Sequence, residues 1–455
     1  MSLDEEGGPP DESPAQAMSL VSQLPGLRSG DAPSAAAEPL PRPATDLKFA
    51  VLQLGARMHY ALPAIFQRAG MLRAFYTDAV SDVGVLDTVN RLLPNAVRSK
   101  PMRRLFGRRL PENVPHAAVV SAPGRSIVHA ALGRVPGGRS LAPLASPSSW
   151  LHRKILAEDF RGANALYCLD NSDLEVMREA RRKRMFIVYE QICCPEVGRI
   201  MRQERTEFPG LEEQDPEELV EGGIKRDLEA WNLSNIVIAP STFVRDSMVR
   251  LGFPAERIRV VPYGLSEDWF ETPAQPKPGR VLFVGNVCLL KGNHYLAEAR
   301  RLLLQRGLTP EFRVVGPLRP YVPHTSLFEG PDYVGQVPRT QVREEFAQAD
   351  VFAFPTISES FGLVHLEALA CGVPVVTTPN CGSVVRHGVD GYIVPIRAPE
   401  ALADRLQQLL ENRPLRDRMS ASARQRARQF SWRQYAENLL GAVVTNASSD
   451  VKRAS

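Results

Sequence analysis

Residues 351–378, VFAFPTISESFGLVHLEALACGVPVVTT, decide the fold. The apolar run VFAF reads as a buried strand that breaks at Pro355. Ser358-Glu359-Ser360 forms a polar loop, and Gly362 to Cys371 reads as a helix. Gly372 closes that helix at its C-cap, Pro374 follows, and VPVVTT starts the next strand. Glu359 therefore stands just before a helix N-terminus, and Glu367 projects from the helix itself. Carboxylates beside unpaired backbone N–H groups suit a ligand with both anionic and polyol parts.

The same alternation extends in both directions. DLKFAVLQL is a strand ending at Gly55, followed by a helix through HYALPAIFQRAG and the apolar LRAFYT. ALYCL and MFIVYE flank the charged helix EVMREARRKR; IVIAP and IRVVPYG flank STFVRDSMVRLG, which has a Ser cap and a Gly end. After the Pro-rich break ETPAQPKPG come RVLFVG, a helix through HYLAEARRLLLQRG, FRVVG, DYVG and the helix QVREEFAQA. Strands alternating with helices imply parallel sheets with right-handed crossovers. The pattern restarts near residue 280, so the expected fold is α/β, two doubly wound domains joined near residues 262–278. A cleft between them is the natural binding site.

Composition narrows the class. At 455 residues the chain accommodates two domains, and 44% apolar content supports a real core. No run of about 18 apolar residues occurs, so no transmembrane helix is expected. The start, MSLDEEGGPP, lacks a basic n-region and an apolar h-region, so no secretory signal is expected. Residues 1–44 hold two basic and seven acidic side chains, a balance of −5, which leaves +9 for the rest of a chain whose net is +4. Too poor in apolar patterning to offset chain entropy, 1–44 reads as a disordered tail, as does 448–455. Six scattered cysteines without CxxC or Cys/His spacing read as buried thiols in a reducing, cytoplasmic compartment.

FVGNVCLLKG places Gly285 at a strand end and Lys291 before a helix, where a phosphate can meet both. The stretch lacks GxxxxGK[ST], and LGARMHYA lacks GxGxxG, so neither a P-loop nor a dinucleotide oxidoreductase is read. His365 and His294 read as packing or surface residues, whereas His59, beside the first-domain loop, is within reach of a substrate. No Ser/His/Asp or Cys/His set is evident.

On VVPYGL, FVGNVCLLKG, VVGP, DYVGQV, ADVFAFPTISESFGLVHLEALACGVPVV and GVDGYIVP, in order over about residues 230–400, the chain resembles the family-four retaining glycosyltransferases. That resemblance implies a GT-B fold: two Rossmann-like domains, 45–262 on the acceptor side and 263–428 for the nucleotide sugar, with 429–447 crossing back to the first. It implies that Glu367 accepts hydrogen bonds from the donor ribose and that Glu359 contacts the transferred sugar. Phe361, Gly362 and Leu363 would offer N–H groups to the diphosphate, Lys291 would meet it, and Gly55 would approach it from the first domain. Tyr333-Val334-Gly335 resembles the strand end near the base. The reaction implied is retaining transfer of a hexose-type sugar from a nucleotide-diphosphate sugar to a sugar, lipid-linked or other hydroxyl acceptor, without cofactor or metal.

Two departures stand out. Asn286 occupies a position where the family often has arginine, leaving Lys291 or Arg57 to bind the diphosphate. Glu190-Gln191 stands where relatives often carry a histidine near the reacting sugar. These departures motivate a second reading, a catalytically silent nucleotide-sugar-binding subunit; a disaccharide synthase or phosphorylase on the same fold is a third. RLLPNAVRSKPMRRLFGRRL, residues 91–110, carries seven Lys/Arg and no acid. Its bland reading is a solvated surface; its sharper one is peripheral docking to an anionic membrane on the cytoplasmic side. No recognition motif accompanies the charge, so no nucleic-acid partner is expected.

Overall fold

The computed structural model describes residues 45–94, 98–132, 146–169, 174–272, 274–382 and 384–454. The tail call on 1–44 and residues 95–97 of the basic stretch lie outside them.

The first sheet comprises β1 (Phe49–Leu52), β2 (Leu72–Thr77), β3 (Val119–Ser121), β4 (Ala165–Leu169), β5 (Phe186–Glu190), β6 (Ile236–Ala239) and β7 (Ile258–Val260), in the order β3-β2-β1-β4-β5-β6-β7. The second comprises β8 (Arg280–Val284), β9 (Glu311–Val315), β10 (Asp332–Gly335), β11 (Val351–Phe354), β12 (Val375–Thr377) and β13 (Gly391–Ile393), in the order β10-β9-β8-β11-β12-β13. Every strand pair is parallel.

Helices cover both faces of such sheets, which is why β1, β4, β5, β8 and β11 are buried throughout instead of alternating. Each buried Phe or Val there contributes about 1.5–3 kcal/mol. In the second sheet the rings of Phe283 and Phe354 stack at 5.4 Å across the β8–β11 pair. Strand order reverses between β1 and β4 in one sheet and between β8 and β11 in the other. Loops at those two points face ligands in open α/β sheets.

The chain then crosses back. Leu265 N–H donates to the Phe430 carbonyl at 2.8 Å, and the long helix Trp432–Ala454 brings the Tyr435 ring to 5.9 Å from Tyr263. Farther along, Arg259 of β7 donates to the Asn446 side chain at 2.8 Å. The helix runs to Ala454, which corrects the expected tail from 448: no Gly or Pro after Gly441 stops it.

Candidate functional site

The two carboxylates and the lysine are assembled by the loops after β8 and β11. Leu290 O accepts both the Ile357 N–H at 2.9 Å and the Thr356 hydroxyl at 3.1 Å, sewing one loop to the other. Gly292 follows with φ +67°, and a Cβ there would stand 2.0 Å from the Pro355 carbonyl oxygen, so only glycine permits this approach. The result is an ion pair between Lys291 Nζ and Glu359 Oε2. Glu359 Oε1 also accepts the Ser360 N–H at 3.1 Å, while the Glu359 N–H donates to the Asn380 carbonyl at 2.8 Å.

Burial pushes the Glu359 carboxyl up, but the Lys291 charge and hydrogen bond outweigh it and hold it below the ordinary range. Burial likewise pulls Lys291 down, and Glu359 more than restores it. Both groups are therefore ionised, and the carboxylate is the counter-ion of the very cation expected to meet a diphosphate.

The helix is slightly shorter than the sequence suggests, Leu363–Ala370, with Gly362 as its N-cap at φ +72°. A Cβ on Gly362 would lie 2.5 Å from His365 Nδ1. That leaves Phe361, Gly362 and Leu363 at the helix start, as expected. His365 is core: it is wholly buried, shares a 3.0 Å hydrogen bond with Thr377 Oγ1, and meets the Phe354 ring edge-on at 5.0 Å. Burial lowers its pKa to about 4 despite the opposing influence of Glu359, so the imidazole is neutral.

Glu367 projects from this helix and is 5% exposed. Its Oε1 accepts from Arg339 at 3.1 Å, a partner the sequence reading missed. Arg339 follows β10, whose end carries Val334 and Gly335; the Gly335 carbonyl accepts the Gly316 N–H at 2.9 Å. Gly285 sits at the end of β8, its N–H bonded to the Val315 carbonyl at 2.9 Å, and Asn286 beside it is half-buried.

The first domain contributes the loop after β1. Gly55 N–H donates to Asp78 Oδ1 at 2.8 Å, and the Gln53 amide donates to the carbonyls of Gly55 and Arg57 at 3.1 and 2.9 Å. Met58, His59 and Tyr60 all have φ between 47° and 59°, an uncommon run for side chains with a Cβ. Asp78 in turn pairs with Arg108 at 2.6 Å. One of the seven cations in the basic stretch thus supports this loop from within.

Glu190 was expected near the substrate. The structure places it wholly buried, its oxygens taking hydrogen bonds from the Tyr167 and Tyr263 hydroxyls at 2.5 and 2.9 Å. Glu190 is the last residue of β5, and the two phenols hold its carboxylate in the core. Tyr263 meets the Phe361 ring at 5.2 Å, so the buried cluster abuts the loop before the glutamate helix.

The domains touch around Ser360. Its hydroxyl accepts the Cys194 N–H at 3.0 Å, and its carbonyl accepts the Ser241 hydroxyl at 2.5 Å. Farther out, Glu204 of the first domain is wholly buried between His294 Nε2 at 2.9 Å and Arg397 Nε at 2.7 Å of the second. No sequence signal pointed to these contacts, because each joins residues 90 or more apart in the chain. A groove of about 670 Å³ also opens between the domains, with Arg199, Phe243, Arg250 and Asn380 among its walls; none of the expected site residues lines it.

Comparison with known proteins agrees with this geometry. Residues 266–426 match the family Glycosyl transferases group 1. A D-inositol 3-phosphate glycosyltransferase of Xylanimonas cellulosilytica is 32% identical over 234 residues, 46% of this chain and 56% of that one. The amylovoran biosynthesis glycosyltransferase AmsK of Erwinia amylovora is 27% identical over 203 residues, 41% of this chain and 50% of that one. The chain thus spans about half the length of these curated relatives. Among solved structures, the Anabaena protein HepE in complex with UDP and glucose superposes with a TM-score of 0.56 at 16% identity, covering 88% of this chain and all of that one. Two parallel-sheet, Rossmann-like domains facing a cleft make this a GT-B fold, whose second domain is similar in sequence to the group 1 glycosyltransferases.

Proposed function

We propose that the protein transfers a hexose-type sugar from a nucleotide-diphosphate sugar to a hydroxyl acceptor, with retained configuration and without a metal. The observation that carries this reading is the convergence of Lys291, Glu359, the helix start at Phe361–Leu363 and Glu367 on one strand-order switch point. The names of the relatives add weight: one acts in amylovoran biosynthesis, and the Anabaena protein was crystallised with UDP and glucose.

In this mechanism the bond from the anomeric carbon to the diphosphate oxygen breaks as the bond to the acceptor oxygen forms on the same face. The acceptor proton passes to the departing diphosphate, so no protein nucleophile is needed. Lys291 and the N–H groups of Phe361, Gly362 and Leu363 stabilise the leaving charge. Glu359 accepts hydroxyls of the transferred sugar, and Glu367 accepts those of the ribose. The loop with Gly55, Arg57 and His59 faces them from the acceptor side.

A panel of UDP-, GDP- and ADP-hexoses, read first as melting shifts and then as donor hydrolysis or transfer, tests the reading. Turnover lost in Glu359→Ala, undiminished by EDTA and giving a retained anomer by NMR, supports it. Donor binding without turnover across a wide acceptor panel supports instead the silent-subunit reading, which Asn286 and the buried Glu190 favour.

We also infer peripheral docking to anionic lipid through the edge formed by Val85–Leu92 and the basic stretch. Leu92 is 77% exposed at the end of its helix. The charge available is smaller than the sequence count, because Arg91 pairs with Asp87, Arg98 donates to the Asn90 and Leu93 carbonyls, and Arg108 pairs with Asp78. Equal flotation with neutral and anionic vesicles, or none with either, refutes it. No helix among the described residues is long and apolar enough to cross a membrane.

A further inference from the structure

Glu367 is a nearly buried carboxylate, and its position is set by a residue that no motif announces. Arg339 opens the helix Arg339–Ala347, four residues beyond the end of β10. Its guanidinium donates to Glu367 Oε1 at 3.1 Å and lies 5.5 Å from the centroid of the Trp269 ring. Arg343, one turn later, lies 5.2 Å from the same ring and donates to Asp268 at 3.3 Å. Trp269 itself is wholly buried and meets Phe346 of the same helix edge-on at 5.8 Å.

This arrangement has two consequences. The indole holds the guanidinium plane by cation–π attraction, so the fork reaches Glu367 with little rotamer freedom left to lose. The guanidinium keeps 30% of its side chain exposed, so its charge is open to a ligand at this end of the site. Its location is the junction between the strand end Val334-Gly335, read as the base side, and Glu367, read as the ribose side.

We propose that Arg339, clamped on Trp269, is the positioning residue that presents the Glu367 carboxylate to the donor ribose and supplies a cation at the nucleoside end of the site. The inference rests on the donor-site reading above. It assigns to the pair Arg339–Trp269 the binding of the nucleoside diphosphate, separate from the chemical step at Lys291 and Glu359. Trp269 lies in the segment joining the two sheets, so the nucleoside end of the site is anchored to the interdomain connection.

Calorimetric titration of UDP, GDP and ADP into the full chain, into Arg339→Gln, Arg339→Lys and Glu367→Gln, and into the Arg339→Gln/Glu367→Gln double variant tests it. The nucleotide that binds wild type should lose about tenfold to a hundredfold in affinity in Arg339→Gln, the range of a charge-assisted hydrogen bond. Arg339→Lys, which keeps the charge and loses the planar fork, should fall between. The double variant should bind no more weakly than the weaker single one, because the two side chains act as a unit. Donor KM should rise by a similar factor while kcat stays within about threefold, a split that a general loss of packing does not produce. Nucleotide affinity within twofold of wild type in Arg339→Gln, or strictly additive losses in the double variant, overturns the proposal while leaving the donor site intact. Failure of all three nucleotides to bind wild type overturns the donor-site reading itself, and this inference with it.

Discussion

The two faces of the cleft are built differently. On the second-domain face, the candidate site groups lie in two short stretches, 285–292 and 356–367, whose loops bond to one another through Leu290 O, while Asn380 O holds the Glu359 N–H. On the first-domain face, Gly55 is held by Asp78, Asp78 by Arg108, and Glu190 by Tyr167 and Tyr263, all through side chains distant in sequence. A site made of adjacent loops tolerates change elsewhere in the chain. A site made of long-range side-chain contacts can be retuned by single substitutions, which suits the face proposed to meet the acceptor.

The largest effect that sharpens this contrast is at the ion pair. Glu359→Gln or Lys291→Ala should lower kcat/KM by about 100- to 1000-fold, the usual loss when one group that stabilises developing charge is removed. Melting temperature should fall only modestly, by what the ion pair contributes, because the backbone bonds of both loops survive. Initial rates alongside thermal melts check this. A large melting shift with modest rate loss would mean that the pair serves folding and not the reaction.

Glu190→Ala probes the opposite face. It strips two buried phenols of their acceptor, and burial already pushes the Tyr167 and Tyr263 hydroxyls well above their ordinary range, so neither can ionise to compensate. The cost should be about 2–4 kcal/mol of stability, measured by urea unfolding, with Glu190→Gln milder. Catalysis abolished in a variant of undiminished stability would instead give Glu190 a role at the reacting sugar.

These contrasts explain what could be read from the chain. The glutamate helix, Lys291 and the strands of the second domain are carried by local signals: apolar runs, a Gly stop and a Pro break. Glu359 and Glu367 separate onto loop and helix within one crossover, so their spacing alone places them. Arg339, Asp78, Glu204 and Ser360 have no such signal, since an arginine after a strand or a serine in a loop is ordinary until the fold supplies its partner. The burial of Glu190 went unread for the same reason. Its neighbours Tyr167 and Tyr263 come from another strand and from the interdomain connection, and their hydroxyls are invisible in the local pattern MFIVYE.

Acid lability should also belong to the second domain. Burial takes the His365 pKa from 6.5 down to about 4, so between those values the unfolded chain binds a proton that the folded one refuses. Stability should therefore fall as pH drops from about 6.5 to about 4, by about 3 kcal/mol in total, and level off below. Glu359, whose pKa is lowered, adds a loss of the same sign only at more acid pH, as it protonates. Urea midpoints measured from pH 7 to pH 4 should decline in wild type and stay nearly flat to about pH 5 in His365→Gln. An equal decline in both would place the titrating group elsewhere.

The smallest test is at the seam. Ser360→Ala removes the acceptor of the Cys194 N–H while leaving the Ser360 carbonyl to hold Ser241, so one of the two bonds made by Ser360 to the first domain survives. The neighbouring Glu359 keeps its own N–H bond to Asn380 and its pairing with Lys291. A single neutral hydrogen bond contributes about 1 kcal/mol, so kcat/KM should drop roughly fivefold with donor affinity preserved. If both faces were independently built, the substitution would leave acceptor KM untouched. A rise in acceptor KM at constant donor Kd would show that the locally assembled face sets the position of the long-range one through this contact.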